Sequence, residues 1–87
     1  MSLFSEKVLH IVKNIPCGTT LTYAEVASLA GSPNALRAVG TIMKNNYNIS
    51  VPCHRVIKSD GTLGEYNRGG TAVKKKLLIQ EGVIFQS

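Results

Sequence analysis

The residues of this sequence best suited to chemistry are Cys53 and His54, adjacent in Pro52-Cys53-His54-Arg55-Val56. A thiol attacks as its thiolate, and a free cysteine has a pKa of roughly 8.5, so a base must take its proton, directly or through a water. An imidazole can do this. Neighbours on a regular strand point to opposite faces, so Pro52 and a turn are needed to bring the two side chains together. A cysteine in an apolar segment is also a common inert core residue, and the flanking runs Ile49 to Val51 and Val56-Ile57 suit that reading too.

The chain around the pair must supply the scaffold. Hydrophobic residues make up 44% of the 87, enough for one packed core, and a chain this short is expected to form a single domain over residues 1–87. The spacing predicts four helices. The first runs from an N-cap at Ser5 to Asn14, with Val8, Leu9, Ile11 and Val12 inward and Ile15-Pro16 as the stop. The second runs from Thr22 to Ala30: Thr22 and Glu25 form a capping box, Val26, Leu29 and Ala30 a buried stripe, and Gly31 the end. The third starts at Ser32-Pro33, serine as N-cap and proline at the first helical position, and carries Leu36, Val39, Gly40 and Met43 inward to about Asn45. The last runs from its cap Thr71 to Glu81, with Ala72, Val73, Leu77 and Leu78 inside and Gly82 as the αL residue.

Lys74-Lys75-Lys76 reads as a solvated face, and Val83-Ile84-Phe85 as a segment packing back on the core. Ser59-Asp60-Gly61-Thr62 signals a turn between Val56-Ile57 and Leu63, hence a small hairpin. The fold class is therefore mainly α with a small β-hairpin, a winged helix-turn-helix-like single domain. Its second and third helices form the helix-turn-helix.

Ten basic against five acidic residues give a net charge of +5, which favours a polyanionic partner such as nucleic acid. Arg37 adds a long cation among small Ala35, Ala38 and Gly40, which permit close approach. No apolar run nears the roughly 18 residues of a membrane span, and Met1 to His10 does not look like a secretory signal. A cytoplasmic protein, nuclear in a eukaryote, is expected. Cys17, Cys53, His10 and His54 lack the paired spacing of a zinc site, so no metal is expected. A Cys17 to Cys53 disulfide would consume the thiol and does not suit a reducing compartment. Cys17 reads as structural or incidental.

Pro52 to Val56 resembles the active-site motif of the O6-alkylguanine-DNA alkyltransferases. The likeness extends from about Phe4 to Phe85 through Ile15-Pro16-x-Gly18, Tyr23, Ala30-Gly31-x-Pro33, Arg37-Ala38-Val39-Gly40, Met43, Asn46, Gly64, Tyr66, Gly69-Gly70, Ala72-Val73-Lys74 and Glu81-Gly82. The resemblance implies that Cys53 accepts the alkyl group permanently, His54 acts on it through a water, and Glu81 orients the imidazole. It further implies that Asn46 braces the active-site turn and that Tyr23 sits by the extruded nucleotide's phosphate and helps protonate the leaving guanine. Arg37 would fill the gap left by the flipped base. Ala35 and Ala38, with Ser32 and Asn34, would face the minor groove, and backbone at Cys53 and Val56, with Tyr66 and Asn67, would hold the guanine.

The implied partner is double-stranded DNA carrying O6-alkylguanine, or O4-alkylthymine, bound by a monomer without membrane or cofactor. Three departures from the family pattern stand out: only Met1 to Leu3 precede the match where the family's usual members carry an N-terminal domain, the Arg37 to Cys53 spacing is one residue short with Tyr47-Asn48 where a proline-containing loop is common, and Arg68 is an extra loop residue. The related alkyltransferase-like proteins bind lesions and recruit excision repair without transfer, and generally carry tryptophan or alanine where Cys53 stands. A plain helix-turn-helix regulator would leave Pro52 to Val56 and Glu81 unused.

Overall fold

Aliphatic stripes at helical spacing let three short helices bury one face each. In the computed structural model, which describes residues 3–48, 50–64 and 66–84, these are α1 (Leu3–Lys13), α2 (Tyr23–Leu29) and α3 (Leu36–Lys44), packed against one another. Val8 and Val12 from α1, Val26 and Ala27 from α2, and Val39 and Met43 from α3 form the core with Ile15, Val51, Cys53 and Val56. The last helix, α4 (Gly70–Gln80), packs against a 3₁₀ turn at Cys53–Arg55. The fold is mainly α, as the spacing predicts, and no helix among the described residues is long and apolar enough to cross a membrane.

Helix ends follow local chemistry. The Glu25 N–H donates to Thr22 Oγ1 and the Thr22 N–H to Glu25 Oε1, both at 3.0 Å, which is the expected capping box of α2. Beyond Ala30, the Gly31 N–H reaches the Ser28 carbonyl and the Ser32 N–H the Ala27 carbonyl, a Schellman closure. Gly82 and Val83 repeat it on Ile79 and Leu78 at the end of α4.

Several boundaries and faces differ from the sequence expectation. α1 begins at Leu3, ahead of Ser5. Ser32 and Pro33 do not start α3: the Schellman closure uses the Ser32 N–H, a turn from the Ser32 carbonyl to the Ala35 N–H follows, and Ala35 becomes the N-cap. Leu29 and Leu36 flank this turn and lie exposed instead of inside. The N-cap of α4 is Gly69, two residues ahead of the expected Thr71, and Thr71 donates its hydroxyl to the Gly64 carbonyl at 3.0 Å. Ala72 and Val73 face outward, while Lys74 is buried. Ile84 is exposed instead of packed on the core; Ile49 and Phe85 lie outside the described residues.

The expected hairpin is replaced by a parallel pair. β1 (Leu21–Thr22) lies beside β2 (Val56–Ile57) in the register Leu21 to Val56 and Thr22 to Ile57. The turn after β2 is present, closed by the Lys58 N–H on the Thr62 carbonyl, but Leu63 does not return as a strand. Val56 is fully buried and β2 pairs with a segment far back in the chain, so the strand is held by the core and not by its neighbour in sequence.

The α2 cap yields a direct measurement. Thr22→Ala removes one side of the capping box and should lower unfolding stability by about 1 kcal/mol, read from the urea midpoint at unchanged slope. An unchanged midpoint would deny the box a stabilising role.

Candidate active site

Cys53 sits where the backbone turns sharply. Pro52, at φ −80° and ψ 70°, centres an inverse γ-turn in which the Cys53 N–H donates to the Val51 carbonyl at 2.8 Å. One 3₁₀ turn follows, closed by the Arg55 N–H on the Pro52 carbonyl and the Val56 N–H on the Cys53 carbonyl. With three residues per turn, successive side chains fan apart by about 120°, so Cys53, His54 and Arg55 leave one turn in three directions. Cys53 is 4% exposed. It nevertheless lines an open cleft of about 930 Å³, shared with Tyr23, Arg37, Tyr66 and Asn67.

Behind Cys53, the other two side chains of the turn meet Glu81 at the end of α4. Arg55 approaches the carboxylate with two donors, Nε to Oε1 at 2.8 Å and Nη2 to Oε2 at 2.7 Å. His54 Nε2 lies 2.9 Å from Oε2. The third Arg55 donor, Nη1, reaches the Ile15 carbonyl at 2.8 Å and ties the α1 to β1 link to the same node. The Arg55 hydrogen bonds, with a smaller contribution from His54, hold the Glu81 carboxyl down to about 2. An ionised carboxylate only accepts. His54 Nε2 therefore carries the hydrogen, and in the neutral ring Nδ1 is the basic nitrogen.

Sequence reasoning named Arg55 within the motif but gave it no task, and the structure makes it the anchor of Glu81. Lys74 was also missed. It is 1% exposed, donates to the Leu63 carbonyl at 2.5 Å and lies 5.7 Å from the centroid of the Tyr23 ring. Burial pushes its amine down to about 8. A signal existed: Lys74 precedes buried Leu78 by one helical turn and Glu81 by two, so it shares their face. Tyr47, in the loop after α3, stands 72% exposed on the cleft rim.

The other expected residues divide by location. Tyr23 opens α2 and Tyr66 stands edge-on to His54, ring centroids 6.4 Å apart; burial pushes the Tyr66 phenol up. Asn67 spends its amide nitrogen on the Met43, Lys44 and Asn46 carbonyls at the end of α3. Buried Asn46 accepts the Asn48 N–H at 3.2 Å and holds the loop that leads to Val51. Val56 lies in the core beneath, its N–H committed to Cys53. Arg37 reaches the cleft from α3, whereas exposed Ala38, Ser32 and Asn34 and half-buried Ala35 lie outside its lining. Exposed Cys17 is a free thiol, and no cluster of three metal-ligating side chains exists among the described residues.

Fold and site together define a helical domain that presents a cysteine in a cleft with arginine and lysine on its walls. A family model described as the 6-O-methylguanine DNA methyltransferase, DNA binding domain, matches residues 3–83, and the chain belongs to this family. It is 48% identical over 82 residues to the mouse methylated-DNA--protein-cysteine methyltransferase, covering 92% of this chain and 39% of that protein. The Methanothermobacter thermautotrophicus protein of the same name is 49% identical over 81 residues, 92% of this chain and 44% of that one. The chain thus spans less than half the length of these relatives. Among solved structures, Mycobacterium tuberculosis OGT in complex with DNA superposes with a TM-score of 0.87 at 41% identity, over 94% of this chain and 50% of that one. S. pombe Atl1, in complex with damaged DNA containing O6-carboxymethylguanine, superposes at 0.86 and 38% identity, over 100% and 83%.

The Glu81 node sets an acid limit. Its pKa falls from an ordinary 4.5 to about 2 on folding, so its contribution is complete above pH 4.5 and is lost as pH drops toward 2. Urea midpoints should decline across that window, and Glu81→Gln should be less stable at pH 7 with a shallower acid decline. Equal slopes for the two proteins would show that the carboxylate is not tied to folding.

Proposed function

We propose that this chain repairs DNA directly by moving the alkyl group of O6-alkylguanine onto Cys53. The single observation that carries the reading is the arrangement of the 3₁₀ turn: Cys53 faces the cleft while His54, next in sequence, is held by an ionised Glu81 with its basic nitrogen at Nδ1. In the proposed step the thiol proton passes through a water to His54. The sulfur pair then attacks the alkyl carbon, a C–S bond forms, and the C–O6 bond breaks with its electrons staying on guanine. Tyr23 delivers the proton that neutralises the leaving base, and the proton held by His54 passes through water to the Tyr23 oxygen, which returns both groups to their neutral forms. The thioether does not hydrolyse readily, so each molecule acts once and needs no cofactor.

A stacked guanine hides the alkyl carbon from a thiolate, so the nucleotide must leave the duplex, at a cost of a few kcal/mol. Arg37 stands on the cleft side of α3 and is the wedge in this reading, with minor-groove binding through the small face at Ala35 and Ala38. A second reading is a lesion-binding protein that transfers nothing. It draws support from the S. pombe Atl1 complex, which matches this chain over its whole length. Cys53 favours transfer.

Intact mass after incubation with duplex DNA containing O6-methylguanine distinguishes the two. One methyl increment on the peptide carrying Cys53, absent in Cys53→Ser, is expected; a folded protein that binds this DNA and gains no mass would leave only the binding reading. Arg37→Ala should slow transfer from duplex DNA at least about tenfold, given the cost of extrusion, and affect single-stranded substrate less. Equal rates on both substrates would remove the wedge.

A further inference from the structure

The loop that joins α3 to the motif turn contains no proline over residues 45–51, so no ring fixes its φ angles, and hydrogen bonds hold it instead. The Asn48 N–H donates to Asn46 Oδ1 at 3.2 Å, and Asn48 Oδ1 accepts the Ser50 N–H at 3.0 Å and hydroxyl at 2.8 Å. The Asn48 carbonyl accepts the Val51 N–H at 3.0 Å and, from across the cleft-lining loop that follows Tyr66, Arg68 Nη2 at 2.6 Å. On the other side of Tyr47, the Asn46 carbonyl accepts Asn67 Nδ2 at 2.7 Å. Backbone is thus tied immediately before and after Tyr47, yet the ring itself stands 72% exposed on the cleft rim. Arg68 bears on a second ring of the lining as well: burial pushes the Tyr66 phenol up, and the charge and hydrogen bond of Arg68 pull against it. Both partners of the 2.6 Å contact lie where the sequence departs from the family pattern.

We propose that Arg68 is a positioning residue that braces the Tyr47 loop, so that the Tyr47 ring forms a preset shelf for a flat ring carried on O6 of the lesion. An aromatic side chain with two χ angles on a fixed backbone loses little freedom when a second ring stacks on it. Space is available: a cavity of about 150 Å³ takes a benzene ring, and the cleft measures about 930 Å³. Tyr66 and Asn67 hold the purine in the reading above, which leaves Tyr47 and Met43, also in the lining, for what the purine carries. The Met43 thioether suits contact with an aromatic ring. This subsite rests on the lesion-binding reading, shared by the transferring and non-transferring alternatives, and names O6-arylmethyl groups as the substituents it selects.

The test uses the Cys53→Ser protein, so that binding is measured without transfer. Affinities are determined for duplexes carrying O6-benzylguanine, O6-(cyclohexylmethyl)guanine, whose ring has the same skeleton but is not flat, and O6-methylguanine. The benzyl duplex should bind about fivefold more tightly than the cyclohexylmethyl duplex. Tyr47→Leu should bring this ratio to about one, and Arg68→Met should do the same although Tyr47 is intact. Arg68→Lys, which keeps one donor for the Asn48 carbonyl, should recover part of it. Combining Tyr47→Leu with Arg68→Met should lower the ratio no further than either change alone, because Arg68 acts through the Tyr47 ring. The log-log salt slope of Arg68→Met should match that of its parent, whereas a lost phosphate contact flattens it by about one unit.

A parent ratio near one overturns the shelf, and a ratio that survives Arg68→Met but not Tyr47→Leu overturns the brace. Loss by the same factor on all three duplexes gives Arg68 a role in folding alone and overturns its positioning role, as does a flattened salt slope, which makes it a phosphate contact. Mass transfer by the wild-type protein with a failed double-substitution cycle sinks only the Arg68 and Tyr47 subsite; a successful cycle without transfer sinks only the alkyl-transfer reading.

Discussion

The forked contact between Arg55 and Glu81 is the constraint on which the rest of the structure depends. It joins the motif turn to a residue 26 positions later, and through the Ile15 carbonyl it reaches 40 positions back. Three separate stretches of chain therefore converge on one guanidinium, with 16% exposure on each side chain of its pair with Glu81. Partial burial strengthens such bonds and also makes a lone survivor costly, so the node holds together or fails as a unit. The same fixed and charged carboxylate holds His54 Nε2.

The division of labour along the 3₁₀ turn follows from the same geometry. A strand would have sent Cys53 and Arg55 to one face and His54 to the other. The tighter turn gives each its own direction: one to the cleft, two toward α4. Pro52 makes this possible because its fixed φ suits the γ-turn that aims the next N–H back at Val51. Low exposure of Cys53 and its place in the cleft lining are compatible, since a side chain can border a pocket while showing little surface to bulk solvent.

Where the sequence carries local chemistry, the fold could be read from it. Thr22 with Glu25, Gly31 and Gly82 each act through hydrogen bonds to residues within a turn, and each stands as expected. Where a long-range contact competes, local signals mislead. Asp60-Gly61 is a strong turn pair, yet β2 takes its partner from Leu21–Thr22, strands too short to show any periodicity. Ser32-Pro33 has the composition of a helix start, but the preceding helix had already claimed the Ser32 N–H for its own closure. Of the site, Cys53, His54 and Glu81 were legible through the motif and its family likeness. Arg55 and Lys74 were not, because a cation in a motif or a lysine run looks solvated until the fold supplies a carboxylate or a carbonyl for it.

The position of Glu81 also has a consequence for how the protein comes into being. During synthesis Cys53 emerges from the ribosome well before the end of α4, so the thiol is available while its imidazole still lacks an orienting partner. Only when residue 81 docks does the turn acquire both its anchor and a defined ring tautomer. A nascent or prematurely stopped chain therefore carries Cys53 and His54 without the carboxylate that fixes the ring, and the node closes only with the last helix.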